Sequence, residues 1–176
     1  MKHSFEQMLT GGHPNSLGRT VEVVELILAE PNRFEELFQC YNSDDEVVRL
    51  RTSNAMKRVE AEHHDLLVPY IDRFIDDVGQ LDQASAQWTL AQLFDRLSKD
   101  LSTEQKKSAT ALMKRNLKGH DDWIVLNATI ETLAKWSKND AALRKWLRPH
   151  LERLSADGRK SVASRAAKKL KALSHD

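Results

Sequence analysis

A chain of 176 residues, 40% hydrophobic and 30% charged, is long enough for one domain with a substantial core and is neither disordered nor collagenous. Six glycines and four prolines are few breaks for an all-β chain, and no apolar run approaches the roughly 20 residues of a membrane span. The single cysteine, Cys40, excludes an intrachain disulfide and a multi-cysteine zinc site, and no basic, apolar leader opens the chain, so a cytoplasmic protein without membrane partners is expected. The net charge of +1 conceals a gradient: residues 1–80 sum to −7 and residues 81–176 to +8. Such a gradient can orient a charged partner or align copies head to tail, or reflect no more than unevenly charged solvated faces.

Residues 1–15 contain Gly11-Gly12 and Pro14 and no lasting period, and are expected to form a flexible tail ahead of a single domain over 16–176. Helical spacing begins with Leu17, Val21, Val24 and Leu28, stops at Pro31, and resumes with Phe34, Leu37, Phe38 and Tyr41. Ser43-Asp44-Asp45-Glu46 reads as a helix N-terminus, followed by the buried face Val48, Thr52, Ala55, Met56 and Val59. Further helices are predicted over 62–78, 83–98, 103–117, 121–137, 140–155 and 159–173, and no stretch alternates at period two. The fold class is all-α.

Self-similarity organises these helices. Segments beginning at Asp45, Gln83, Asp122 and Arg159 align at offsets of 38, 39 and 37 residues. Their core positions read Val48, Ala86, Val125, Val162; then Thr52, Leu90, Thr129, Ala166; then Met56, Phe94, Leu133, Leu170; then Val59, Leu97, Trp136, Leu173. One amphipathic helix separates successive copies, so the unit is a helical hairpin of about 38 residues.

Asp45-x-x-Val48-Arg49-x-x-Thr52-x-x-Ala55-Met56-x-x-Val59 resembles the second helix of a HEAT repeat, and Leu67-Val-Pro69-Tyr-Ile71 and Leu147-Arg-Pro149-His-Leu151 resemble its proline-bearing first helix. The resemblance spans roughly 17–173, with the related armadillo class left open. It implies a right-handed α-solenoid of about four hairpins plus an N-terminal helix, with the second helices lining a concave face. In the later copies the family's Asp and Arg positions carry Gln83 and Gln87, Asp122 and Leu126, and Arg159 and Ala163, so its interrepeat ladder is expected only in the first copy.

Opposite the core positions at 100° per residue lie Leu50, Asn54, Trp88, Gln92, Trp123, Asn127 and Glu131. Tryptophans there read either as anchors for a protein or peptide partner, beside amides that bond a peptide backbone, or as packing between repeats. Trp136 and Trp146 fall at core registers. The alternative partner is nucleic acid, met by Arg159, Lys160, Arg165, Lys168, Lys169 and Lys171, whose other reading is a solvated capping helix. A HEAT-like DNA glycosylase is disfavoured: Gln92 and Asn127 stand one turn after the tryptophans, Asp95 and Glu131 two turns after, and no basic groove tracks two strands. No catalytic residue, cofactor or metal is expected. His63-His64-Asp65 lacks convergent ligand spacing, and Cys40 has no basic neighbour to activate it.

Overall fold

The structure, a computed structural model, describes residues 3–174. Among these there are ten α-helices and no strand: α1 Phe5–Leu9, α2 Thr20–Ala29, α3 Phe34–Gln39, α4 Glu46–Glu62, α5 Ile71–Asp76, α6 Ala84–Arg96, α7 Thr103–Gly119, α8 Trp123–Ser137, α9 Ala141–Ser155 and α10 Lys160–Leu173. One compact unit ends at Thr89 and a second begins at Leu90, inside α6. The aligned repeat core is reproduced in the burial pattern. All sixteen positions except the half-buried Leu170 are buried, and the first two rows are completely inaccessible.

The first unit departs from expectation at its N-terminus. Residues 3–15 include α1, opened by a capping box in which Ser4 Oγ accepts from the Gln7 amide at 3.2 Å and Gln7 Oε1 accepts from the Ser4 amide at 3.1 Å. Phe5 and Leu9 are completely buried, and Arg33 lies 4.0 Å over the Phe5 ring. A five-residue apolar pattern, too short to register as a period, is enough here because α1 docks on α2, α3 and α4.

The stretch beyond α1 wraps the guanidinium of Arg51, which is only 2% exposed. Arg51 Nη1 donates to the carbonyls of Leu9 (2.7 Å) and Gly11 (2.5 Å), Nη2 to that of His13 (3.2 Å) and Nε to that of Ser16 (3.1 Å). Gly18 has φ +53°, and a Cβ placed there would lie 2.9 Å from Arg51 Cζ, so a side chain is disfavoured both by the backbone and by the guanidinium.

Over 62–78 the predicted helix is broken. Turns of 3₁₀ helix occupy His64–Leu66 and Val68–Tyr70, and only Ile71–Asp76 is α-helical. Pro69 has no amide hydrogen and disfavours the α conformation at Val68. Phe38 anchors an aromatic cluster here, with ring centroids 5.2 Å from Tyr70, 5.2 Å from Phe74 and 5.8 Å from Tyr41. Arg73 covers Phe38 at 4.3 Å and pairs with Glu35 at 2.7 Å, while the Tyr70 hydroxyl donates to the same carboxylate at 2.9 Å.

The Arg73 bond, reinforced by Gln39 and Tyr70, holds the Glu35 carboxyl at about 2, well below its ordinary 4.5. A lowered carboxyl stabilises the fold above its unfolded value and loses that contribution as pH falls from about 4.5 towards 2. Acid unfolding of Glu35→Gln, followed by circular dichroism, should show a shallower loss of stability across that window; an unchanged slope would assign the acid sensitivity elsewhere. Cys40 is buried, its Sγ lies 3.4 Å from the Glu36 carbonyl, and burial, then the charges of Glu6 and Glu36, push its thiol up to about 12.

In the second unit, side-chain bonds fix the direction of the helices. Asp121 meets Arg159, Asn127 meets Ser161 and Glu131 meets Arg165, so α8 and α10 run the same way. Thr132 Oγ1 donates to the Ala91 carbonyl at 2.8 Å and Lys135 pairs with Asp95 at 2.9 Å, which aligns α8 with the last turns of α6. Arg153 donates to the Leu117 carbonyl at 3.2 Å, joining the C-terminal ends of α9 and α7. Bonds between segments that the alignment relates occur in both units. In the first unit Arg49 donates to Gln83 and Gln83 to the Glu46 carbonyl; in the second, Arg159 donates to the Asp121 carbonyl.

No helix among the described residues is long and apolar enough to cross a membrane.

Candidate functional site

Four of the seven residues expected to form a binding face come together on the second unit. Gln92 from α6 and Trp123, Asn127 and Glu131 from α8 line one groove of about 380 Å³, with Asp95 and Arg165 on its walls. That volume falls at the lower end of the range for ligand sites. Asp122 starts α8 by accepting from the amides of Ile124 (2.8 Å) and Val125 (3.0 Å), which fixes the register that turns Trp123 outward. Trp123 is 51% exposed, the most exposed large hydrophobic side chain among the described residues. Ile124 and Ala128 continue its apolar wall.

The floor is polar and incompletely bonded. Asn127, expected on the exposed face, is buried: α10 packs beside it, and its Nδ2 donates to Ser161 Oγ at 3.3 Å. Its Oδ1, Gln92 Oε1 and Arg165 Nε are buried without a hydrogen-bond partner. Three unsatisfied polar atoms around one groove are a standing cost that an incoming donor and acceptor can remove.

The charges are internally paired. Glu131 accepts from Arg165 at 2.6 Å and Lys169 at 2.8 Å, and Asp95 from Lys135 at 2.9 Å. Burial opposes ionisation of Glu131, yet Lys169 and Arg165 outweigh it and hold its carboxyl below the ordinary value. A carboxylate so held is a weak base at neutral pH.

Leu50, Asn54 and Trp88 belong to the first unit and do not line this groove; all three are half-buried, and Asn54 accepts from Arg58 at 2.7 Å. Trp136 is buried at its core register, whereas Trp146 is half-buried and stacks on His150 at 4.2 Å. Of the six basic candidates at the C-terminal end, Arg165 and Lys169 on α10 are engaged by Glu131, and Arg159, just before α10, by Asp157 at 2.8 Å, while Lys160, Lys168 and Lys171 are exposed. His64 Nδ1 lies 2.8 Å from Glu60.

Sequence reasoning placed Arg165 with the phosphate-binding candidates and missed its part in the groove. The signal was present: Arg165 follows Glu131 by 34 residues, one repeat less one helical turn, the same separation as Arg49–Gln83 and Asn127–Ser161.

No family model, curated protein or solved structure matches this chain.

Proposed function

We propose that this chain is a non-enzymatic scaffold of the HEAT type, stacked from helical hairpins, that holds a segment of a protein partner in the groove beside Trp123. The architecture is supported by the burial of the aligned repeat positions and by bonds that join residues 34–41 apart, one repeat on. The binding reading rests on one observation: an exposed indole stands over a groove whose amides and guanidinium carry unsatisfied, buried polar atoms. An indole anchor excludes water from neighbouring polar contacts, and Gln92 and Asn127 then complete their bonding with the amides of an extended peptide.

Affinity capture from host lysate, with nuclease present, tests this. Wild type is expected to retain a discrete protein that Trp123→Ala binds at least about 30-fold more weakly, the effect of losing a hot spot worth roughly 2 kcal/mol. Equal capture by both forms would remove the groove from the interaction. Capture of nucleic acid alone would replace a protein partner with the alternative expected from the sequence.

A further inference from the structure

The helices α7 and α9 carry a charge pattern that the sequence reading did not single out. Between Thr103 and Ser155 they hold nine lysines and arginines against two carboxylates, Glu104 and Glu152. On α9 the guanidinium groups are spent on backbone carbonyls: Arg144 on Ser137 and Lys138, Arg148 on Leu173 and Arg153 on Leu117. On α7, Lys106, Lys107, Lys114 and Lys118 form no ion pair among the described residues. These four lysines outnumber the carboxylates beside them, Glu104 on the same helix and Asp140 at the start of α9.

Two cavities run along this helix and share Ala111 and Lys114. The first, of about 580 Å³, is lined by Lys106, Lys107 and Lys114, by Ser102 and Thr110, by Trp136, and by one carboxylate, Asp140, which caps α9 through the Leu143 amide. The second, of about 520 Å³, continues past Arg115 and Lys118 to Trp146. Trp136 is 6% exposed, and its Nε1 donor is buried without a partner. Lys106 lies 5.1 Å over the Trp136 ring and Lys114 4.8 Å over the Trp146 ring. Burial, followed by the charges of Arg153, Lys118 and Lys114, holds His150 below its ordinary imidazole value, which marks the same positive potential.

We propose that this trough binds the sugar–phosphate backbone of a single-stranded nucleic acid. The seventeen residues of α7 span about 25 Å, enough for several consecutive phosphates. Four of its five cations are lysines, point charges that bind phosphate oxygens without a fixed bidentate geometry. The Thr110 hydroxyl donates to the Lys106 carbonyl at 2.7 Å, whereas Ser102 Oγ, which accepts from the Gln105 amide at 3.1 Å, keeps its own proton for a phosphate oxygen. Lys107, Lys114 and Lys118 fall within about 40° of one another on the helix wheel, a single row that fits one strand, whereas a duplex presents two. The site is separate from the groove beside Trp123, shares no lining residue with it, and differs from the α10 cluster expected from the sequence.

The test is fluorescence anisotropy of labelled oligo-dT with the full chain, titrated from about 50 to 200 mM salt. Three forms are compared: wild type, Lys106→Gln/Lys107→Gln/Lys114→Gln, and the α10 control Lys160→Gln/Lys168→Gln/Lys171→Gln. Wild type should bind with an affinity that falls steeply with salt. The α7 triple variant should bind at least about tenfold more weakly, with a salt slope smaller by roughly two, at about 0.7 per lost phosphate contact. The α10 control should keep the wild-type slope. All six lysines lie outside the buried core, and unchanged thermal melting confirms that the variants fold. Absence of wild-type binding at low salt, or equal losses in the two triple variants, overturns the proposal. So does displacement of oligo-dT by a poly-glutamate peptide at equal charge concentration, which would make the trough an acidic-protein site.

Discussion

Arg51→Met should lower the free energy of unfolding by roughly 3 kcal/mol, through the loss of several charge-assisted hydrogen bonds inside the fold. Methionine retains much of the aliphatic stem, so the change isolates the guanidinium. That group is 2% exposed and donates to the carbonyls of Leu9, Gly11, His13 and Ser16. Without it, the Leu9 carbonyl loses its donor in a buried site, and the segment from Thr10 to Arg19 loses most of the bonds that tie it to α4. Gly18→Ala should reproduce part of the defect, by about 1–2 kcal/mol, because it combines a left-handed φ of +53° with a Cβ 2.9 Å from Arg51 Cζ. Urea unfolding with a shared m-value is the measurement. A shift in midpoint worth less than about 0.5 kcal/mol for Arg51→Met would mean that the carbonyls rehydrate freely and that the wrap contributes little.

Phe38→Ala should cost about 3–5 kcal/mol, the usual range for deleting a buried aromatic ring. Phe38 is 3% exposed and touches three other rings, and Arg73 stacks on its face at 4.3 Å. Losing the ring opens a cavity and also frees the guanidinium that holds Glu35 ionised, so the acid sensitivity tied to that pair should weaken in the same variant. Phe38→Leu separates the two contributions: it refills much of the volume while removing the ring face, and should recover more than half of the loss. Equal destabilisation by alanine and leucine would show that ring geometry, not volume, governs the site.

The helical fold was legible because burial repeats. Val48, Ala86, Val125 and Val162 are four different contexts reduced to one requirement, a small or medium apolar side chain facing the neighbouring helix, and all four are completely buried. What escaped the reading was local or long-range in a way that periodicity does not record. The docking of Phe5 and Leu9 depends on a five-residue helix with no room for a period. The burial of Arg51 follows from carbonyls 35–42 residues away, so on a helix wheel it is simply a charged residue. At the groove, the outward direction of Trp123 followed from register, but the depth of Asn127 did not, because α10 supplies the wall that covers it. The trough along α7 was missed for another reason. Its charge belongs to the face of a helix outside the aligned copies, and summing residues 81–176 blurs it into a general excess of positive charge.

Cys40 makes the chain convenient for spectroscopy. As the sole cysteine, 4% exposed and with its thiol pushed up to about 12, it carries almost no thiolate at neutral pH. A cysteine introduced at an exposed position such as Ser108 on α7 or Ser164 on α10 can therefore be coupled to a maleimide dye or spin label while Cys40 stays unmodified. Native cysteine need not be replaced first, so distance and anisotropy measurements on either helix can be made in the wild-type background.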